Sequence, residues 1–113
     1  MAVTIWHNPR CSQSRSALAL IRAAGVAPVV VDYLAEPPDV PTLRRVLAAA
    51  GLSARALLRD KEARVLAPEL GQADEDTLLA AMAADPRLIN RPVVMSDRGA
   101  RLCRPPERVL EIL

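Results

Sequence analysis

The chain is nearly without aromatic rings: its 113 residues include no phenylalanine, one tryptophan and one tyrosine. Alanine and leucine supply most of its 51% apolar content, which is still the share of an ordinary globular protein. No apolar run approaches the ~18 residues of a membrane span, and the first residues lack the basic-then-apolar layout of a secretory signal. A cytoplasmic location without membrane association is therefore expected. Two cysteines cannot build a disulfide framework, and cytosolic thiols are normally kept reduced. One histidine and two distant cysteines give no basis for a protein-built metal site. A net charge of +2 supplies no basic excess for nucleic acid. Repeats, low-complexity tracts and linkers are absent, so residues 1–113 are expected to form a single domain.

Lysine is scarce as well. Fourteen of the fifteen basic residues are arginine, and Lys61 is the exception. A GC-rich genome raises arginine and alanine together. Arginine is also the residue that grips a planar or tetrahedral oxyanion with a fork of N–H donors, which lysine does less well.

Residues 2–6, "AVTIW", predict a short strand stopped by Pro9. "CSQSRSALALIRAAG" predicts a helix with Gly25 as its stop. "APVVVDYL" is apolar enough to predict a strand buried on both faces. Strand, helix and strand make a βαβ unit with parallel strands. A helical stretch follows over about 41–86. "TLRRVLAAAG" starts near Pro41 and stops at Gly51, "LSARALLRDKE" restarts with Ser53 as N-cap, and "ADEDTLLAAMAADP" is acid-rich at its start. "RPVVMSDRGARLCRPP" predicts a hairpin turning at "SDRG", and "PERVLEIL" a short closing helix. The order βαβ, helical insert, ββα predicts an α/β, thioredoxin-like fold: a four-stranded mixed sheet flanked by helices. Such a fold carries its reactive cysteine at the start of the first helix, where Cys11 stands.

A thiolate at a helix N-terminus is stabilised by unpaired N–H groups and the helix dipole, and the same groups cradle anions. Arg10 and Arg15 add positive field, Ser12 and Ser14 are candidate donors to the sulfur or to a bound oxyanion, and His7 is a candidate charge or proton group. "CSQS" lacks the second thiol of C-x-x-C, so an outside thiol or Cys103 would have to resolve a mixed disulfide. Cys103, with no cluster around it, reads best as a packing residue. A phosphatase loop needs C-x5-R, whereas Arg15 follows Cys11 after only three residues. A monothiol nucleophile beside an oxyanion-sized site is what remains.

Four segments taken together, "HNPRCSQSR", "ARALLR", "LINRPVV" and "ARLCRPPERVLEIL", resemble the glutaredoxin-coupled arsenate reductases of bacteria, in family order and over nearly the whole chain. The R-C-S-x-S-R form of the first segment and the "RPPE" of the last are similar to a sister branch of that family. The resemblance implies that Cys11 is the catalytic nucleophile and that Arg59, Arg91 and Arg104 hold arsenate, with His7, Ser14, Arg15 and Pro92 in support. It implies a cis Arg91–Pro92 bond, no bound cofactor, glutathione as co-substrate and glutaredoxin as partner. Two other readings stand beside it. One is a monothiol oxidoreductase of the same family without arsenate turnover. The other is an Spx-like regulator that binds RNA polymerase, although Ser14 occupies the place of that group's second cysteine.

Overall fold

Thr4–Trp6 (β1) is extended as its β-branched and aromatic residues favour, and Ile5 at its centre is fully buried. The computed structural model describes residues 2–113. After a turn at residues 9 and 10, Cys11 takes the extended N-cap conformation and Ser12–Ala23 forms α1. The buried side of α1 is Ser14, Ala17, Leu18 and Ile21, the three-and-four spacing of a single helix face. Gly25 ends it in the left-handed region at φ +82, where a side chain would be strained.

Val29–Val31 (β2) pairs parallel with β1. Val93–Ser96 (β3) and Gly99–Leu102 (β4) form an antiparallel hairpin turning at Asp97 and Arg98, as "SDRG" predicts. β3 pairs antiparallel with β1, Ile5 lying opposite Val94. The sheet order is β2-β1-β3-β4, so the sheet is four-stranded and mixed in the thioredoxin-like arrangement. Val3, Ile5 and Val94 pack with Ala17, Leu18 and Ile21 of α1 and with Cys103, Val109 and Ile112 in one cluster.

The expectation of a doubly buried second strand is corrected: β2 is a sheet edge, with Val29 60% and Val30 44% exposed. An apolar run reports affinity for a strand but not its lateral place, and here β1 has a partner on each side while β2 has one. The closing segment is a short helix, as expected. Pro106–Glu111 is a 3₁₀ helix entered through two consecutive prolines, and the Ser96 hydroxyl donates to the carbonyl of Ile112 at 2.6 Å.

Residues 37–90 form a second compact unit, the first being the described residues up to Glu36 together with Arg91–Leu113. In the second unit α2 (Val40–Ala50) is capped by Asp39, whose side chain accepts the Thr42 N–H, and it ends at Gly51 with φ +67. Ser53 caps α3 (Ala54–Leu57) through the Ala56 N–H. The single helix expected from "LSARALLRDKE" is instead broken at Leu58 and Arg59 before α4 (Asp60–Leu66). There the Arg59 N–H donates to the Leu88 carbonyl at 2.7 Å and the Asn90 N–H to the Leu57 carbonyl at 2.8 Å, a β-type bridge that no local pattern announces. Asp74 caps α5 (Glu75–Ala84), and both oxygens of Glu75 accept the Ala54 N–H at 3.0 Å. Leu43, Leu57, Leu78, Leu79 and Met82 are buried in this unit. Among the described residues no helix is long and apolar enough to cross a membrane.

Ile21→Ala should destabilise the protein by about 2–5 kcal/mol, the usual loss for a fully buried aliphatic side chain. Val30→Thr on the open edge should stay within about 0.5 kcal/mol. Urea unfolding midpoints of the two variants measure both.

Candidate active site

The loop from β1 to α1 is held by its own short polar groups. The Cys11 N–H donates to the Asn8 carbonyl at 3.0 Å, and the Arg10 N–H to Asn8 Oδ1 at 3.0 Å. The Asn8 N–H donates to Ser14 Oγ at 3.0 Å, and His7 Nδ1 lies 2.6 Å from the same oxygen. Ser14 is fully buried and spans the start of the loop and the first turn of the helix. Arg15 adds a bond from Nη1 to the Pro9 carbonyl at 2.8 Å. Asn8 was not singled out from the sequence. The Asn-Pro pair that favours an Asx-type turn was the available signal.

These ties aim the first turn of α1 at the Cys11 sulfur, whose residue is 8% exposed. Burial pushes its thiol pKa up, but the Ser14 N–H, the Arg91 guanidinium and the Gln13 N–H together outweigh it, and the pKa lies below the ordinary thiol value. Arg104 places Nη1 4.0 Å from the sulfur and 3.0 Å from the Arg91 carbonyl. The peptide bonds Arg91–Pro92 and Arg104–Pro105 are both cis, the second not foreseen.

Arg91, the distant residue that the family resemblance names, meets the sulfur, since charge acts through space and not along the chain. One expectation from the motif is corrected. The hydroxyl of Ser14 is engaged with His7 and Asn8, and it is the backbone of Ser14 that donates to the sulfur. His7 is held below its ordinary pKa, first by burial, then by Arg22 and Arg15, against the opposing pull of Asp32.

Arg59 lies in the second unit at the N-cap of α4, its Nη1 2.8 Å from Glu62. The structure thus brings Cys11, Arg91 and Arg104 together within one unit and places Arg59 in the other. Cys103 is a free thiol with no exposed surface, packed in the cluster of Val3, Ile5 and Ile112. Burial pushes its pKa up to about 12, so it is a packing residue rather than a nucleophile. No group of three or more histidine, cysteine or acidic side chains suited to a metal occurs among the described residues.

The fold and this site define a thioredoxin-like protein with an activated thiol at the N-terminus of its first helix, beneath two guanidinium groups. The chain belongs to the ArsC family, whose pattern matches residues 6–112. An arsenate reductase of Rhizobium meliloti (strain 1021) is 50% identical over 117 residues, covering 100% of this chain and 82% of the relative. The uncharacterized protein YfgD of Escherichia coli (strain K12) is 49% identical, covering 98% of this chain and 96% of the relative. The solved structure of an arsenate reductase from Vibrio cholerae matches with a TM-score of 0.92 at 48% identity, over 100% of this chain and 98% of that one.

Iodoacetamide at neutral pH should alkylate Cys11 and leave Cys103 unmodified until the protein is unfolded, as peptide mass analysis of the two sites will show. The raised pKa of Cys103 has an alkaline consequence. The unfolded chain loses this proton near pH 8.5, while the folded chain keeps it to about pH 12. Its contribution to stability is therefore complete below about pH 8.5 and is lost as the pH climbs toward that of the folded thiol. Cys103→Ala should flatten this part of the alkaline fall in denaturation midpoint.

Proposed function

We propose that this chain is an arsenate reductase working in the cytoplasm, with Cys11 as its single catalytic thiol and glutathione and glutaredoxin as its reductants. The observation that carries the reading is the Cys11 sulfur itself, lying under the Gln13 and Ser14 N–H groups with Arg91 on it and Arg104 Nη1 at 4.0 Å. Donors that stabilise a thiolate also stabilise a tetrahedral oxyanion bonded to it. The arsenate reductases at 45–50% identity support arsenate as that oxyanion.

In the first step the Cys11 thiolate attacks arsenic, a sulfur–arsenic bond forms, and one oxygen leaves as water or hydroxide. Arg91 and Arg104 neutralise the remaining oxygens. The family resemblance also names Arg59, which lies in the other unit with its Nη1 paired to Glu62. A glutathione thiolate then attacks the Cys11 sulfur. A disulfide forms, the sulfur–arsenic bond breaks, and its electron pair stays on arsenic, which leaves as trivalent arsenite. Glutaredoxin attacks the glutathione sulfur and releases the Cys11 thiolate. Cys103 takes no part, since its thiol stays protonated and buried.

Arsenate-dependent NADPH consumption with glutathione, glutaredoxin and glutathione reductase tests this. The wild type should turn over, Cys11→Ser should not, and Arg91→Gln or Arg104→Gln should each lose about 100-fold or more in kcat/KM. Absent turnover in the wild type, with Cys11 still alkylating rapidly, would overturn arsenate reduction and point to a thiol oxidoreductase of the same family.

A further inference from the structure

The arginine immediately before the nucleophile has no task in the steps above. Arg10 is exposed, and its side chain has neither an ion pair nor a hydrogen bond among the described residues. Its backbone is nonetheless fixed on both sides. Its own N–H is bound to Asn8 Oδ1 at 3.0 Å, and the next N–H, that of Cys11, to the Asn8 carbonyl at 3.0 Å. A long cationic side chain is therefore anchored at a fixed point beside the sulfur and left open to solvent.

No acidic group lies on its own segment. Residues 7–15 contain no aspartate or glutamate. Arg15 is exposed and spends Nη1 on the Pro9 carbonyl, a neutral acceptor that leaves its charge uncompensated. Arg104 is exposed, with Nη1 between the Arg91 carbonyl and the Cys11 sulfur. Glu107, exposed and three residues beyond Arg104, is the acidic group of that segment. The oxyanion bonded to sulfur is served by the helix N–H groups with Arg91 and Arg104. The chain neighbours of Cys11 on either side, Arg10 and Ser12, are exposed to the solvent from which an incoming thiol arrives.

We propose that Arg10, with Arg15 behind it, is a specificity residue for the thiol that attacks Cys11, and that it selects a small thiol bearing carboxylates. The inference rests on the thiol chemistry proposed above. Uncompensated guanidinium groups raise the local concentration of anionic reactants and hold carboxylates through paired N–H donors. Neutral thiols gain nothing from them, and cationic thiols are repelled.

Thiol–disulfide exchange with three symmetrical disulfides isolates this property without arsenate. The probes are dianionic dithiobis(nitrobenzoate), neutral dithiodipyridine and dicationic cystamine. With each, the Cys11 thiolate attacks one sulfur, a new disulfide forms, and the other half leaves as a thiolate. The readout is the ratio of the anionic to the neutral rate in wild type, Arg10→Gln, Arg10→Glu and Arg10→Lys. Arg10→Gln should lower the ratio about threefold to tenfold with the neutral rate within twofold, and salt should shrink the wild-type ratio toward the variant's. Arg10→Glu should lower it further and speed cystamine, while Arg10→Lys should keep most of it. An unchanged ratio in Arg10→Gln and Arg10→Glu would overturn the proposal. So would an equal fall with all three probes, because Arg10 would then act on the thiol rather than on its partner's charge. Rapid exchange with the neutral probe in every variant would leave the arsenate reading untouched, so the two inferences fail separately.

Discussion

The site depends on the ties that hold the first turn of α1 against the end of β1. Asn8 accepts from the Cys11 and Arg10 N–H groups and donates its own to the buried hydroxyl of Ser14, so loop and helix form one polar knot. With the knot in place, the N–H groups of Gln13 and Ser14 converge on the sulfur. Backbone donors of this kind lose no side-chain entropy when they act, and they cannot turn away from the charge they stabilise. The geometry of the loop, the lowered pKa of the thiol and the fixed backbone of Arg10 all follow from the same few bonds.

The two cysteines show how completely environment governs one functional group. Cys11 is almost as buried as Cys103, at 8% and 0% exposure. Desolvation raises the pKa of both. Only Cys11 has donors aimed at it, and they reverse the direction, whereas Cys103 sits among aliphatic side chains and is pushed up to about 12. Burial alone makes a thiol inert. Burial with directed N–H groups and a guanidinium lowers the pKa instead.

The abundance of arginine resolves into separate kinds of work. Arg55 donates to the carbonyls of Leu70 and Ala73 and fastens the segment after α4 within the helical unit. Arg44 bridges α2 and α5 through Asp76, and Arg101 and Arg108 share Glu111 beside the closing 3₁₀ helix. These exposed pairs each contribute little to stability. Arg91 and Arg104 differ in meeting the Cys11 sulfur.

Much was legible in advance because it is local. The N-caps Asp39, Ser53 and Asp74 accept the N–H groups of their own first turns, the glycines at 25 and 51 take the left-handed turn their positions demand, and the hairpin reverses within "SDRG". The placing of Cys11 at the start of α1 followed from the strand, proline and helix around it, and the ArsC family likeness from four separated motifs. Other features were decided only when distant segments met. The edge position of β2 depends on which strand β1 takes as its second neighbour, and no periodicity encodes that choice. The break between α3 and α4 depends on backbone groups some thirty residues away in the same unit. At the Cys11 sulfur stands the guanidinium of Arg91, eighty positions later, a placement that the family resemblance implies and no local pattern encodes. Most elements, their order and the place of Cys11 at the start of α1 are written in the chain itself, since caps, turns and face patterns act over a few residues. Tertiary structure alone decided what surrounds each thiol, because desolvation and Coulomb interactions depend on distance in space.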